Sequence, residues 1–396
     1  MSRLSGSEPR DKKRGSLVFL TSALVLILAP ACVDDGDSSG WDWNIGSNIP
    51  APSVPEDNPM SVEKVELGRH LFYDIRLSGN QTQSCSSCHR QDLAFTDGLA
   101  RSEGSTGEQT PRSSMSLANV AYVSALTWVN PLLRDLSEQA LIPMFGEEPV
   151  ELGLSGLEDE LLERLRSDTA YQELFMAAYP DRADPFSLSG ISDALATFQR
   201  TLLSFDAPYD RYIRGDDNAM SAEALRGMEL FNSEELECFH CHGGFNFTDS
   251  VDSAHNPFNE VAFHNNGLYN VDGRGAYPAP NLGYVEFTGA PSDQGRFRAP
   301  SLRNIAVTAP YMHDGSIDTL DGVLEHYAAG GRNIQEGPNF GDGRENPNKS
   351  GFVNGFELTE TRRAELLAFL NALTDENFLS NPSHSDPFAG GQAVGQ

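Results

Sequence analysis

The sequence predicts a mainly α-helical chain of two related halves, with long irregular loops and little β structure. Apolar residues recur at helical spacing in several segments, whereas the alternation typical of strands is scarce among 36 glycines and 23 prolines. A similar Gly-x-x-Leu-Phe fragment occurs at residues 68–72 and 227–231, and each copy precedes a pair of cysteines. This recurrence indicates a divergent internal duplication, with one cofactor unit in each half.

Four segments have the spacing of amphipathic helices. They are predicted at residues 62–73, 191–202, 320–329 and 361–374. Residues 255–300 lack periodicity and are expected to form long loops. Such loops need an apolar group to pack against, and a large cofactor in each core would provide one.

Four of the five cysteines fall in two Cys-x-x-Cys-His runs. The runs are Cys85-Ser-Ser-Cys88-His89 and Cys238-Phe-His-Cys241-His242. Cysteines three apart share one face of a helical turn, so both thiols can bond the vinyl groups of a c-type haem while the next histidine ligates its iron. A zinc site built from all four cysteines and a pair of disulfides are the alternatives, but neither explains the histidine after each pair. The chain is therefore predicted to carry two covalently bound c-type haems.

The first 31 residues have the organisation of an export signal peptide. A basic region at residues 10–14 precedes an apolar core at residues 17–28, which is too short to span a bilayer, and Ala29-Pro30-Ala31 forms a small-residue cleavage site. Cleavage before Cys32 would give a lipid-anchored lipoprotein, and ordinary Ala-x-Ala cleavage is the alternative. Either product is expected in the periplasm, and the lipoprotein would be attached to the outer membrane.

Acidic residues dominate the composition, with 57 Asp and Glu against 28 Lys and Arg and a formal charge of −29. Such a surface repels nucleic acid and anionic headgroups, which excludes both as partners. Contact with a membrane is predicted only through a lipid on Cys32. A basic protein partner is compatible with this charge, although solubility alone also explains it.

The motifs divide the mature chain into a linker, two cytochrome c-like haem domains and a tail. Residues 32–58 are acidic and rich in proline, which predicts a flexible linker. The two haem domains are predicted at residues 59–216 and 217–380. Residues 381–396 are predicted to form a disordered tail.

The sequence outside the haem motifs resembles the bacterial dihaem cytochrome c peroxidases and their MauG-type relatives. Over nearly the whole mature chain, the most specific stretches are residues 67–78 and 301–315. Within this family the chain is most similar to the MbnH type, at residues 41–44, 116–122 and 326–331. The resemblance implies that hydrogen peroxide is activated at the N-terminal haem and that oxidising equivalents are shared with the C-terminal haem.

The resemblance assigns the residues for peroxide cleavage to a loop region after the first haem motif. Glu151 and Gln139 would lie over the peroxide, where a carboxylate with an amide neighbour can move a proton between the two oxygens. Pro143 would line the same pocket. The alternative for Glu151 is an exposed acid, one of 57 in the chain.

The N-terminal iron is expected to be five-coordinate and open to peroxide. Typical members of the family rest with a histidine on the far side of this haem, but here no histidine occurs between His89 and His240. His255, His264 or another distant residue would have to reach over the haem to close it.

Trp128 would lie between the two haems as an electron relay, again by the family pattern. An aromatic of low ionisation energy divides one long tunnelling step into two. The alternative is a buried core tryptophan. The other two tryptophans, Trp41 and Trp43, fall in the predicted linker.

Tyr327 is the predicted distal ligand of the C-terminal haem. Peroxidases of the family carry a methionine fourteen residues after the histidine of the His-Asp-Gly turn, and fourteen residues after His313 is Tyr327. Phenolate stabilises high-valent iron, whereas a thioether favours Fe(II). Met312 and His326 are the rival ligands, and a packing role in a helix is the alternative for Tyr327.

Two further features follow from the resemblance. Thr308 and Pro310 match positions whose backbone carbonyls hold a calcium ion between the domains, so a Ca²⁺ is also expected. The relative from the methylamine pathway has a surface tryptophan two residues before its second haem motif, where this chain has Leu236. The route from haem to partner in that relative therefore cannot simply be transferred.

The leading functional hypothesis is an exported dihaem enzyme that uses hydrogen peroxide to reach a bis-Fe(IV)-type state and oxidises a residue on a partner protein. The MbnH resemblance implies a tryptophan, converted to kynurenine, on a periplasmic or surface protein. The alternative is a conventional cytochrome c peroxidase that takes electrons from a small cytochrome or cupredoxin. A dihaem electron carrier with both irons six-coordinate is the non-enzymatic hypothesis.

Overall fold

The computed structural model describes residues 41–46, 48–253 and 262–389. The predicted signal peptide, Cys32 and His255 lie outside the described residues. In the N-terminal half the α-helices are α1 (Val62–Tyr73), α2 (Cys85–Cys88), α3 (Leu136–Phe145), α4 (Glu158–Arg166), α5 (Thr169–Ala178), α6 (Leu188–Arg200) and α7 (Pro208–Ile213). In the C-terminal half they are α8 (Ala222–Phe231), α9 (Phe239–His242), α10 (Val285–Thr288), α11 (Leu320–Ala328), α12 (Glu360–Asn371) and α13 (Glu376–Ser380).

Strand is confined, within the described ranges, to two short antiparallel ribbons and isolated bridges. β1 (Phe263–His264) pairs with β2 (Phe297–Arg298), and β3 (Asn333–Ile334) pairs with β4 (Gly341–Asp342). The prediction of a mainly α-helical fold with little β structure is thus confirmed.

Each half is built on one pair of closely packed helices, α1 with α6 and α8 with α12. Gly68 of α1 lies against the Ala194 carbonyl of α6, and Gly227 of α8 lies against the Glu365 carbonyl of α12. A Cβ at either glycine would collide with that carbonyl, so the absence of a side chain permits the close approach. Both glycines belong to the recurring fragments, and the equivalent helix pairs are the structural counterpart of the duplication.

The apolar stripes of these helices form a separate hydrophobic core in each half. In the N-terminal half, Leu67 and Phe72 of α1 pack with Phe198 of α6. In the C-terminal half, Phe231 of α8 packs with Phe369 of α12. Burying these side chains supplies most of the driving force for each helix pair, because apolar area removed from water contributes roughly 25 cal/mol per Å². The predicted boundary between residues 216 and 217 falls between α7 and α8.

The predicted helix positions agree closely with the structure. α1 covers the predicted residues 62–73, and its N-terminus is fixed by Ser61, whose side chain accepts a hydrogen bond from the Lys64 backbone N–H. The last long helix begins one residue earlier and ends three residues earlier than predicted, at Glu360–Asn371. None of the described helices is long and apolar enough to cross a membrane.

Two segments predicted to be flexible make specific contacts with the helices. Pro50 accepts a hydrogen bond from the Tyr122 hydroxyl at 2.7 Å, and Asn58 donates to the Asp193 carbonyl at 3.0 Å. Near the C-terminus, the Tyr73 hydroxyl donates to the His384 carbonyl at 2.7 Å. The predicted linker and tail are therefore held on the body of the protein at residues 48–58 and 381–389. No local pattern in the sequence indicates these hydrogen-bond partners, and the linker and the tail stay predictions.

Candidate active site

The first haem motif lies on the single turn of α2, with its histidine positioned by a backbone carbonyl. His89 follows the turn, and its Nδ1 lies 2.7 Å from the Phe95 carbonyl oxygen. A carbonyl can only accept, so Nδ1 carries the proton and Nε2 is left as the ligating atom. Burial lowers the pKa of His89, which favours the neutral imidazole that an iron ligand requires.

The second motif repeats this arrangement on α9. The Nδ1 atom of His242 lies 3.3 Å from the Phe247 carbonyl, and burial lowers the pKa of His242 as well. Phe95 and Phe247 both have positive φ, of 61° and 49°, which is uncommon for an aromatic residue. This shared backbone turn directs each carbonyl toward its histidine, so both proximal ligands are held in the same way.

A repeated asparagine loop follows each haem motif, and sequence reasoning missed it. Asn119 and Asn304 each follow a Ser-Leu-x sequence and adopt left-handed conformations with φ of 56° and 60°. Both contact the same strand-like segment, because Asn119 accepts from the Ser204 backbone N–H at 2.7 Å and Asn304 donates to the Ser204 hydroxyl at 2.9 Å. The recurrence of Ser-Leu-x-Asn before an apolar residue was the available signal.

A cavity with about 620 Å³ of empty space, including space open to solvent, adjoins the first haem motif. Cys85, Cys88 and His89 line it together with the three residues that the family resemblance assigns to peroxide cleavage. Those residues are Gln139, Pro143 and Glu151. Glu151 is thus a cavity residue and not a solvated acid, and burial raises the pKa of its carboxyl group above the usual value.

The proline in α3 helps to explain why Gln139 and Glu151 line the same cavity. Pro143 lies inside the helix and has no N–H to donate to the carbonyl of Gln139, so the last turn of α3 is weakened. The Pro143 carbonyl accepts a hydrogen bond from the Leu152 N–H at 2.8 Å. This bond fixes the loop that carries Glu151 against the helix that carries Gln139.

Among the described residues that line this cavity, His89 is the sole histidine. His264, one of the residues that could have reached over the first haem, instead lines a cavity at the second haem motif and pairs with Asp249 at 2.5 Å. No second imidazole in the described part of the chain thus lies over the first haem motif.

A larger cavity, with about 1310 Å³ of empty space, adjoins the second motif. Cys238, Cys241, His242 and Tyr327 all line it. Tyr327 projects from α11, and burial raises the pKa of its phenol. The structure therefore brings the predicted proximal and distal ligands of the C-terminal haem into one cavity.

The two rival ligands differ in their access to this cavity. Met312 lines it, and the Sδ atom of Met312 accepts a hydrogen bond from the Asn266 side chain at 3.2 Å. His326 is absent from the lining, and its Nε2 lies 3.0 Å from the Asn266 carbonyl. Burial lowers the pKa of His326 to about 4, which fits a neutral ring in the protein interior. Met312 is consequently the stronger rival to Tyr327.

Trp128 contacts both the larger cavity and a segment next to the first haem motif. It lines the larger cavity, and its indole Nε1 donates to the Ser113 carbonyl at 3.0 Å. The neighbouring Ser114 donates to the Cys88 carbonyl at 2.7 Å, and its hydroxyl lies 3.3 Å from the His89 Nδ1 atom. The Trp128 side chain is half-buried. It is joined to the first haem motif through its hydrogen bond to Ser113 and the hydrogen bond of the adjacent Ser114.

The polar lining of the larger cavity fits a haem. Arg298 is almost fully buried, and its guanidinium donates to the carbonyls of Thr127 and Ala299 and to the Met115 sulfur. Among the residues that the structure describes, no carboxylate is in direct contact with it. His313 is also buried, and its Nε2 lacks a hydrogen-bond partner. A buried cation without a counterion is unfavourable, and the propionate carboxylates of a haem would compensate it.

The alternative cysteine chemistries do not fit the structure. All four cysteines of the motifs are free thiols, and the two pairs line different cavities, so neither disulfides nor a shared four-cysteine zinc site is formed. Thr308 and Pro310 lie in the loop after the 3-10 turn Ile305–Val307, with the Thr308 hydroxyl donating to the Ile305 carbonyl at 3.2 Å. The calcium site remains a prediction.

Comparisons with known proteins agree with this arrangement. Residues 62–218 match the family described as di-haem cytochrome c peroxidase. The chain is 34% identical to the methylamine utilization protein MauG of Methylorubrum extorquens, over 81% of each protein. It is 32% identical to the cytochrome c551 peroxidase of Pseudomonas aeruginosa, over 65% of this chain and 70% of that protein.

Solved structures give the same result. A MauG-like protein associated with microbial copper homeostasis is 50% identical, with a TM-score of 0.86 over 88% of this chain and 99% of that one. The dihaem peroxidase BthA of Burkholderia thailandensis shares the fold at 21% identity and a TM-score of 0.62. The chain therefore belongs to the family of MauG and the dihaem cytochrome c peroxidases, which are haem-dependent, peroxidase-type oxidoreductases with two c-type haems.

Proposed function

We propose that this enzyme acts in the MauG mode, using hydrogen peroxide to oxidise a tryptophan on a partner protein. The observation that carries the proposal is the presence of Tyr327 in the same cavity as His242, Cys238 and Cys241. An anionic oxygen ligand favours the storage of an oxidising equivalent, whereas a thioether favours the acceptance of electrons. The 50% identity to a MauG-like protein supports the same mode.

The haems would supply the redox chemistry, namely peroxide activation at the His89 site and storage of a second oxidising equivalent at the His242 site. Cys85 and Cys88 would hold the first haem, and Cys238 and Cys241 the second. Phe95 and Phe247 keep the two histidines in the tautomer that leaves Nε2 free for iron.

Glu151 would act as the acid–base group. Its raised pKa lets the carboxylate accept a proton from one peroxide oxygen and return it to the other, so that water can leave. Gln139 would hold the peroxide through its amide, and Pro143 would fix the shape of the pocket. Trp128 would pass electrons between the sites, supported by its hydrogen bond to Ser113 and by the link from Ser114 to Cys88.

The overall reaction balances in atoms and electrons. Each hydrogen peroxide takes two electrons and two protons and gives two waters, and the electrons come from the indole of the partner. Oxidation of tryptophan to N-formylkynurenine removes four electrons and four protons and adds the oxygens of two waters. Two peroxides take up these electrons and protons and give four waters, so the net reaction of tryptophan with two peroxides yields N-formylkynurenine and two waters. Hydrolysis then releases formate and leaves kynurenine. A periplasmic location, with or without a lipid on Cys32, is part of the same proposal and would bring the enzyme to an exported partner.

The second candidate is a conventional cytochrome c peroxidase, favoured by one observation. Met312 lines the cavity of the C-terminal haem beside Tyr327, so a thioether is available as a ligand. Such an enzyme would reduce peroxide to water with electrons from a small cytochrome or cupredoxin.

Electron paramagnetic resonance on the resting ferric holoenzyme separates the two candidates. Wild type, Tyr327→Phe and Met312→Leu would be compared before and after one equivalent of peroxide. We expect one high-spin and one low-spin haem, a low-spin signal that changes in Tyr327→Phe but persists in Met312→Leu, and loss of both signals with peroxide. A low-spin signal that depends on Met312 would favour the peroxidase. Two low-spin haems indifferent to peroxide would contradict the MauG mode and would indicate an electron carrier or a peroxidase that awaits reduction.

A further inference from the structure

A stack of aromatic rings reaches the surface beside the second haem motif. The ring of His240 lies 4.1 Å from that of Phe352, almost parallel at 14°, and 4.1 Å from that of Phe239. Phe352 is 45% exposed, unusual for a large apolar side chain. We call Phe239, His240 and Phe352 the aromatic patch.

The aromatic patch is also part of the wall of the C-terminal haem cavity. Phe352 lines this cavity, and His240 stands in the haem motif between Cys238 and Cys241. Phe352 therefore reaches from the exposed surface to the cavity that would hold the cofactor. Electronic coupling falls steeply with distance, so a donor seated on this patch has a short path to the C-terminal haem.

The position before the second haem motif that carries a surface tryptophan in the methylamine-pathway relative is buried in this protein. Leu236, which replaces the surface tryptophan of the methylamine-pathway relative, is only 5% exposed and packs in the C-terminal core. Exposed phenylalanines elsewhere, Phe287 and Phe340, do not line the cavity. Among the described residues, Phe352 thus combines exposure with contact to the cofactor site.

Acidic residues border the aromatic patch. Glu234 is 83% exposed and lies 3.9 Å from the His240 ring nitrogen, which also pairs with Glu237 at 2.6 Å. Glu235 is exposed and pairs with Arg362 at 2.7 Å. We call Glu234, Glu235 and Glu237 the acidic rim; its three carboxylates pair with one arginine, Arg362, and with the His240 ring.

We propose that the aromatic patch and its acidic rim form the docking surface for a basic segment of a partner protein, which presents a tryptophan to the C-terminal haem. Protein interfaces combine an aromatic centre with a polar rim, and complementary charge accelerates association. The inference rests on the proposed function, because the electrons that leave the tryptophan are those that reduce peroxide to water. It adds the chemistry of the partner and the face that receives it.

The test uses the full-length holoenzyme and a synthetic lysine-rich peptide that contains one tryptophan. The second-order rate constant for oxidation of this peptide by the peroxide-treated enzyme would be measured at low and high salt. A glutamate-rich peptide of the same length around the tryptophan is the matched control for the probe.

Two substitutions and two controls define the surface. We expect Phe352→Ala to lower the rate constant about tenfold, the effect of losing roughly 1.4 kcal/mol at an interface anchor. Glu234→Gln should lower it less and weaken its dependence on salt. Phe340→Ala and Glu173→Gln, which change an exposed phenylalanine and an exposed acid elsewhere, should leave the rate constant unchanged.

The outcomes separate this inference from the proposed function. If the haem spectra do not respond to peroxide, the proposed function fails before docking is tested. If they respond and the peptide is oxidised equally by Phe352→Ala and Phe340→Ala, or equally with lysine-rich and glutamate-rich peptides, the docking surface is wrong. The peroxide-treated Glu234→Gln variant should decay spontaneously at the wild-type rate. This result would exclude damage to the haem site as the cause of slower oxidation of the peptide.

Discussion

Gly68 and Gly227 occupy equivalent positions in the two halves, each facing the carbonyl of the partner helix where a side chain would collide. We predict that Gly68→Ala and Gly227→Ala each destabilise the protein by about 1–3 kcal/mol, because the helices must separate to admit a methyl group. Chemical denaturation of the holoenzyme measures this effect. Gly351→Ala is the control, since a Cβ at Gly351 would meet open space; equal effects at all three glycines would contradict the packing argument.

Glu151→Gln should slow the reaction with peroxide by roughly 10²–10⁴-fold, the usual contribution of a positioned acid–base group. In wild type, the rate should fall on the acid side at a pH above 4.5, because burial raises the pKa of the Glu151 carboxyl. Stopped-flow measurement of the first reaction with peroxide across a range of pH would record this fall in rate at acid pH. Its persistence in Glu151→Gln would assign it to another group.

Although Glu151→Gln should slow the reaction with peroxide, it should stabilise the folded protein. A carboxyl group whose pKa is raised by folding binds its proton more tightly in the folded state, so it destabilises the fold increasingly as the pH rises above its ordinary value. Glu151→Gln should therefore be more stable than wild type at neutral pH, and the difference should vanish below about pH 4.5. Glu173→Gln, at an exposed site, should show no such difference.

Arg298→Met should destabilise the holoenzyme by about 3–5 kcal/mol, since it would leave a buried haem carboxylate without its cation. Removal of this positive charge should also lower the reduction potential of the C-terminal haem, because the ferric form carries more positive charge than the ferrous form. Thermal unfolding and redox titration measure the two effects. Arg296→Met removes an arginine that is more exposed and pairs with Asp293, so it should change neither.

Trp128→Phe should uncouple the two haems while leaving the first peroxide step intact. Phenylalanine preserves the apolar packing but has a higher ionisation energy and cannot donate to the Ser113 carbonyl. Freeze-quenched paramagnetic resonance should then show that peroxide removes the high-spin signal but not the low-spin one. The same result with Trp43→Phe would mean that Trp128 has no special role.

Residue spacing alone predicts the proximal half of each site. Two cysteines and a histidine at fixed separation determine where a haem attaches, and α1 was predictable because its apolar spacing and the Ser61 cap agree. The shared cavity of Glu151 and Gln139 could be anticipated only from the family resemblance. It depends on Pro143 and on the backbone bond to Leu152, which no local pattern encodes.

Backbone conformation accounts for much of what sequence reasoning missed. Nothing in a phenylalanine indicates that Phe95 and Phe247 adopt positive φ and present their carbonyls to the histidines. The contacts of residues 48–58 and 381–389 were missed for a related reason. A proline carbonyl or a histidine carbonyl accepts a hydrogen bond whatever the residue type, so the partners Tyr122 and Tyr73 leave no trace in composition.

The carbonyls of Phe95 and Phe247 hold the histidines of the two sites in the same way, although the rest of each cavity has a different lining. One backbone turn and one asparagine loop recur after each haem motif, whereas the other groups that line the two cavities come from unrelated parts of the chain, the Glu151 loop in one half and α11 in the other. These other segments can therefore be exchanged without disturbing the turn that holds each histidine. A duplicated unit of this kind can specialise one copy for taking in oxidant and the other for delivering it.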